Sequence, residues 1–156
     1  MKKYKVTFLL DKSNNWFEKY ILKYNFGLKK KYIYNIKKNF KLIINQDLVF
    51  ILKYTRILPK SFLNKNKLNL IVHESNLPND KGFAPVANQI LKNKNLIKVC
   101  LIEAKEKVDT GNIFMIENLR FDGTELSDEI RKKQAKSTLA IIKKFLKRYP
   151  KVKSKK

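Results

Sequence analysis

Two stretches of this chain are almost wholly apolar, and they constrain its fold more than anything else in it. "DLVFIL" (47–52) and "LNLIV" (68–72) show little of the alternation that marks a strand with one wet face. A strand covered on both faces reads instead as a nearly continuous apolar run, as in a parallel sheet packed between helices. Both runs are therefore expected to be central strands.

The rest of the chain supplies the flanking elements. "YKVTFLL" (4–10) reads as a first strand ending at Asp11. The loop "DKSNN" leads into a helix over residues 16–24, where Phe17, Tyr20, Ile21 and Tyr24 follow helical spacing and Gly27 closes the element. "KYIYNI" (31–36) is a second strand, and "KYTRILPKSFL" (53–63) a turn at a strand's carboxyl end. Pro85 stands where a helix begins, continued by "VANQILKNK". "IKVCLIE" (97–103) and "NIFMIENL" (112–119) frame a hairpin with "KVDTGN" near its tip. Leu126, Ile130, Leu139, Ile142, Phe145, Leu146 and Tyr149 recur at helical steps. They predict a long amphipathic helix opened near "DGTE" (122–125), with Glu125 three residues after Asp122 as in a capping box.

Strand–helix alternation ending in a hairpin predicts an α/β fold of Rossmann-like character. Its mostly parallel sheet is flanked by helices, with a late β-hairpin and a long C-terminal helix. No repeat or low-complexity linker divides the 156 residues, so the expectation is one domain over 1–149 and a basic tail over 150–156.

Composition excludes several classes. No apolar run approaches the roughly 18 residues of a membrane-spanning helix, and the N-terminal apolar stretch is too short for a signal peptide. The chain reads as cytoplasmic. A single cysteine rules out an internal disulfide and a multi-cysteine metal site, and Cys100 reads as a small buried apolar residue. No metal site is expected. The formal charge is +23, but only four of the 36 basic residues are arginine (Arg56, Arg120, Arg131 and Arg148). Lysines spread along a chain rich in Asn, Ile and Tyr read mainly as a solvated, compositionally biased surface. The other reading is a surface that attracts an anionic substrate such as a nucleotide or RNA.

In open parallel sheets, ligands bind beyond the carboxyl ends of the strands. Three segments fall there: "YTRILP" (54–59), "HESNLPNDKGF" (73–83) and Asp109 in the hairpin loop. The second contains the only histidine, His73. A lone histidine at a strand end is usually a satisfied polar residue near a turn. Ser75 reads as structural, capping the turn before Pro78. Glu74 is open between a solvated loop carboxylate and an amine-binding group. Trp16 and the tyrosines read as core or surface aromatics.

Together the three segments resemble the N10-formyltetrahydrofolate-dependent formyltransferases. The family pattern is N-x-H-x-S-x-L-P, a glycine loop with a proline opening a helix, and an acidic residue in a D-x-G turn. Here Ile71-Val72-His73-Glu74-Ser75-Asn76-Leu77-Pro78, Gly82-Phe83-Ala84-Pro85 and Asp109-Thr110-Gly111 stand in that order. The likeness covers roughly residues 44 to 148. It implies a formyltransferase fold, N10-formyltetrahydrofolate as formyl donor, and His73 and Asp109 as the catalytic pair. It further implies that Tyr54, Arg56, Ile57 and Leu58, with Val108, line the folate pocket.

Formyl transfer to an amine needs a proton acceptor, stabilisation of a developing oxyanion, and a proton for the leaving nitrogen. His73 suits the proton handling, since its intrinsic pKa is near the working range. Asp109 would orient the imidazole and favour its charged form. The family's asparagine two residues before the histidine, whose amide bonds the formyl oxygen, is here Ile71. Isoleucine offers no donor. Asn69, on the same strand face, would sit about 6–7 Å away, and Asn76 or Asn79 could swing in from the loop. Either another donor replaces the amide, or the chemistry is slower or different, or the site binds without turnover.

"VHESNLPNDKGFAPVANQIL" and "FDGTELSDEIRKKQ" (121–134) resemble bacterial sugar N-formyltransferases more than the methionyl-tRNA enzyme. The implied acceptor is an amino-sugar nucleotide in glycan biosynthesis, such as lipopolysaccharide. The alternatives are methionyl-tRNA or another amine, and a degenerate folate- or sugar-binding domain. With 156 residues, no room is expected for the tRNA enzyme's C-terminal barrel. About 70 residues precede His73, so a βα unit before it is expected to be missing or abbreviated. Small members of the family often pair, which makes a homodimer compatible with the resemblance.

Overall fold

The computed structural model describes residues 3–13, 15–79, 82 and 84–155. Asn14 of the first loop, Asp80, Lys81 and Phe83 of the glycine loop, and Lys156 of the tail lie outside the described residues.

Six strands form one sheet: β1 (Tyr4–Leu10), β2 (Tyr32–Lys37), β3 (Leu48–Leu52), β4 (Asn69–His73), β5 (Leu96–Glu103) and β6 (Ile113–Arg120), in the order β2-β1-β3-β4-β5-β6. The first three pairings are parallel and the last two antiparallel. The sheet is thus mostly parallel with a late hairpin, as the sequence predicts. All five residues of β3 are buried, which is why the run "LVFIL" shows no alternation.

The alternating side chains of β3 and β4 feed two cores. Leu48, Phe50, Leu52, Leu70 and Val72 pack with Leu139, Ile142, Phe145 and Leu146 of the long helix α4 (Ser127–Arg148). Val49 and Ile51, with Ile71 beside them, pack on the other face with Ile43, Leu58, Phe62 and Ala104. Burying a large aliphatic or aromatic side chain contributes about 1.5–3 kcal/mol, so the α4 face carries most of the stabilisation.

The connections are short. Residues 15–17 form a 3-10 turn that leads into α1 (Glu18–Lys23), and α1 stops at Tyr24, which is already extended. Gly27 therefore does not close that helix; it turns the following loop at φ 69°, with its N–H on Asn25 Oδ1. The path from β2 to β3 holds only the 3-10 turn Phe40–Leu42, where a full crossover helix could stand. From β3 to β4 there is one helical turn, α2 (Lys60–Leu63). Helix α3 (Pro85–Leu91) opens on Pro85 as expected but ends before "KNK".

At the start of α4 the capping differs from the expected scheme. Glu129, not Glu125, reaches back to the cap, accepting from Leu126 N at 2.8 Å. Glu125 instead ties the preceding loop, accepting from Asp122 N and Gly123 N and pairing with Lys133. The basic tail folds back far enough for Lys155 to bridge Ile113. Among the described residues no helix is long and apolar enough to cross a membrane.

Candidate active site

β3 and β4 end side by side. Ile51 pairs with Ile71, so two residues further on Lys53 and His73 stand at the same level of the sheet. Beyond them opens a cavity of about 1070 Å³. It wraps round the strand ends and takes its lining from both faces. Ile51, Leu58, Leu63, Ile71, Ala104 and Val108 line it on the side of the smaller core, and Trp16, Glu74, Ile130, Arg131 and Gln134 on the side of α4.

His73 is the last residue of β4 and is 7% exposed. Its Nδ1 lies 3.5 Å from Asp109 Oδ1. Asp109 comes from the loop between β5 and β6, is itself buried, and has a left-handed backbone, φ 54°. Its other oxygen accepts from Gly82 N at 3.4 Å. The glycine loop after His73 thus holds the carboxylate from the far side, and Gly82 meets that demand with φ 111°, a region open to glycine. Gly111 sets the other end. A Cβ there would lie 1.7 Å from the Glu103 carbonyl oxygen, so only glycine lets the loop close against the end of β5.

Every residue that the sequence singles out for catalysis or folate binding lines this one cavity: His73, Asp109, Tyr54, Arg56, Ile57, Leu58 and Val108. Arg56 lies over the Tyr54 ring at 5.1 Å. Leu58 is buried, while Ile57 and Val108 are exposed at the mouth. The loop that carries them is fastened by Asp11 at the end of β1. The Asp11 carboxylate accepts from Thr55 N at 3.0 Å and Thr55 Oγ1 at 2.6 Å, and from Ser13 N and Oγ. Those donors, the Thr55 hydroxyl foremost, hold it well below the usual carboxylate range.

Ile71 is half-buried on the cavity wall, and none of the three asparagines named as replacements lines the cavity. Asn69 donates Nδ2 to Leu63 O at 2.8 Å, under α2, and lies outside this cavity. Asn76 and Asn79 are exposed and also outside it. Ser75 is fully buried, and its backbone oxygen accepts from Cys100 Sγ at 3.2 Å. Its hydroxyl makes no hydrogen bond among the described residues, so it does not cap the turn as expected. Cys100 is buried as predicted, which pushes its thiol pKa up.

Sequence reasoning missed Lys53. Its Nζ pairs with Glu74 Oε1, and the side chains are 12% and 6% exposed. Lys53 also lies over the Trp16 ring at 5.8 Å, with Arg131 over the same ring at 5.9 Å. Burial lowers the Lys53 ammonium to about 7, against the opposite pull of the adjacent carboxylate. Glu74 is therefore no solvated loop carboxylate. Trp16 packs partly on the main core and partly walls the cavity. The available signal was a lysine directly after an unbroken apolar strand, one register step from the histidine.

A buried imidazole–carboxylate pair beside one large cavity at the carboxyl ends of adjacent strands stands where open α/β sheets bind their ligands. The Formyl transferase family model matches residues 5–146, and the chain belongs to that family. A methionyl-tRNA formyltransferase of Rickettsia felis is 30% identical over 93 residues, 59% of this chain and 31% of that protein. The chain thus spans about a third of the length of the curated relatives it matches. Among solved structures, methionyl-tRNA formyltransferase from Clostridium thermocellum superposes with a TM-score of 0.73 at 23% identity, covering 99% of this chain and 70% of that one. WlaRD, a sugar 3N-formyl transferase solved with dTDP and 5-N-formyl-THF, gives 0.68 at 20% identity, covering 100% and 66%. These two likenesses show the shared fold.

Proposed function

We propose that this protein moves a formyl group from N10-formyltetrahydrofolate to the amine of an amino-sugar nucleotide. The observation that carries the reading is the His73–Asp109 pair at the strand ends, set between the two sides of one large cavity. The side formed by Ile51, Leu58, Ile71, Ala104 and Val108 is an apolar slot suited to a flat heteroaromatic ring. Tyr54 adds a buried hydroxyl with no hydrogen-bond partner among the described residues, a polar atom that a ligand would satisfy. These residues fit a pterin. When bound there, N10-formyltetrahydrofolate supplies the formyl group.

In this reading a new C–N bond forms between the acceptor nitrogen and the formyl carbon, and the bond from that carbon to N10 breaks. His73 takes the proton from the attacking amine and returns it towards N10. Asp109 acts through His73, orienting the imidazole through Nδ1 and stabilising its charged form. The likeness to a sugar 3N-formyl transferase supports the acceptor class.

The second reading takes methionyl-tRNA as the acceptor. Two observations favour it: the names of the sequence relatives, and the charge of +23. Turnover with formyltetrahydrofolate against a panel of amino-sugar nucleotides and methionyl-tRNA tests both, on wild type and His73→Ala. A formylated sugar that disappears in the variant upholds the first reading. Formylated methionyl-tRNA, with RNA affinity falling steeply as salt rises, upholds the second. Folate binding without any product makes the domain a binding module.

A further inference from the structure

Glu74 follows His73 directly, lines the same cavity and is 5% exposed. Its backbone oxygen accepts from Gln89 Nε2 at 2.8 Å, which fixes the residue against α3. Its carboxylate meets the Lys53 ammonium and, at 3.5 Å, Gln134 Nε2 from α4. Both contacts fall on Oε1. Among the described residues neither contact involves Oε2, and the carboxylate lines the cavity one residue from the imidazole.

The fold has little to gain from this arrangement. A buried ion pair rarely outperforms apolar side chains of similar volume. Lys53 reaches Glu74 from a left-handed backbone, φ 52°, which is unfavourable for any residue with a Cβ. A strained residue and a desolvated charge pair in a cavity wall are marks of a ligand site. On the same side of the cavity, Trp16 offers an aromatic wall to a ring bearing polar groups.

We propose that Glu74 is a specificity-determining residue for the acceptor: Oε2 receives the acceptor's primary amine, as ammonium or as N–H, while Lys53 and Gln134 hold Oε1. The assignment rests on the formyl-transfer reading and deepens it, because it names what the acceptor presents beside His73. A hydroxyl at the same place on the ligand would form only a weaker, uncharged donor contact. An ammonium–carboxylate contact is roughly twice as strong as a neutral one, so a preference of about tenfold for amine over hydroxyl is expected.

Trp16 is the only tryptophan, and its fluorescence reports occupancy of this side without any turnover. The experiment titrates a dTDP-4-amino-4,6-dideoxyhexose and its 4-hydroxyl counterpart into wild type, Glu74→Gln, and the double variant Lys53→Met/Glu74→Gln. The double variant removes both charges together and so guards against a misfolded single variant. The expected result is about tenfold tighter binding of the amine by wild type, falling to near parity in both variants while the hydroxyl sugar binds all three alike. An amine preference that persists without Glu74, or binding of neither sugar, overturns the assignment. Product formation is read alongside. Discrimination by wild type without product would sink the transferase reading and leave Glu74 in place, and product formed at an unchanged acceptor KM in Glu74→Gln would do the reverse.

Discussion

His73 and Asp109 approach to 3.5 Å although one ends a parallel strand and the other sits in the loop of an antiparallel hairpin. Gly82 and Gly111 make that approach feasible, the first by donating to the carboxylate and the second by letting the hairpin loop close. The pair is the part of the site most directly open to mutation.

Asp109→Asn keeps the shape of the side chain and removes its charge. It is expected to lower kcat at least tenfold with little change in folate affinity, while His73→Ala lowers kcat by about 100- to 10,000-fold. Single-turnover kinetics with a folate-binding control separate the two effects. Equal loss of binding and turnover in Asp109→Asn would mean that the carboxylate only shapes the loop.

Ile71→Asn places an amide at a position of the cavity wall whose own side chain offers no donor. The expected outcome is a rise in kcat, on the order of 100-fold if no other group serves the oxyanion. The half-buried position makes the amide cost about 1–3 kcal/mol of stability if it stays unpaired. An unchanged rate in a folded variant would show that another donor already acts.

Asp11→Ala releases Thr55 and Ser13 and so loosens residues 53–58. Hydrogen exchange should speed up in that loop, and the KM for folate should rise more than the KM for the acceptor. The folded-state pKa of Asp11 is depressed, so its stabilisation is present above the unfolded value near 3.8 and is lost as the pH falls below it. Acid unfolding of the variant should accordingly be shallower than that of wild type.

Burial of Lys53 costs stability where Asp11 contributes it, although the pH slope has the same sign. The folded pKa of Lys53, about 7, lies below the ordinary 10.5, so between those values the unfolded chain binds a proton that the folded chain does not. Stability attributable to this group therefore rises with pH across that window. Urea midpoints at pH 7 and pH 10 should climb more in wild type than in Lys53→Met/Glu74→Gln. Identical slopes would show that the pair keeps Lys53 charged throughout.

Much of this was legible along the chain. The runs at 48–52 and 68–72 are apolar because both faces of their strands are covered, so the sheet's centre could be read from them. Period-two and helical spacing gave β1, the hairpin and α4. The resemblance carried by His73, Pro78, Gly82, Pro85 and Asp109 pointed to one site, and all of these but Pro78 line one cavity. The failures were local: Gly27 and Glu125 have the right chemistry for caps, but neighbouring residues closed those helix ends first.

What the sequence could not encode locally was the Lys53–Glu74 pair and the position of Trp16. Each is ordinary beside its chain neighbours: a lysine after a strand, a glutamate in a loop, a tryptophan near a helix start. Parallel register sets β3 and β4 level, and α4 then closes over their ends, which removes water from both charges. Propensity and periodicity act through near neighbours, so they determined the elements and the core faces. Desolvation depends on what packs from distant parts of the chain, so only the tertiary structure decided which charges became buried and which side chains share the cavity.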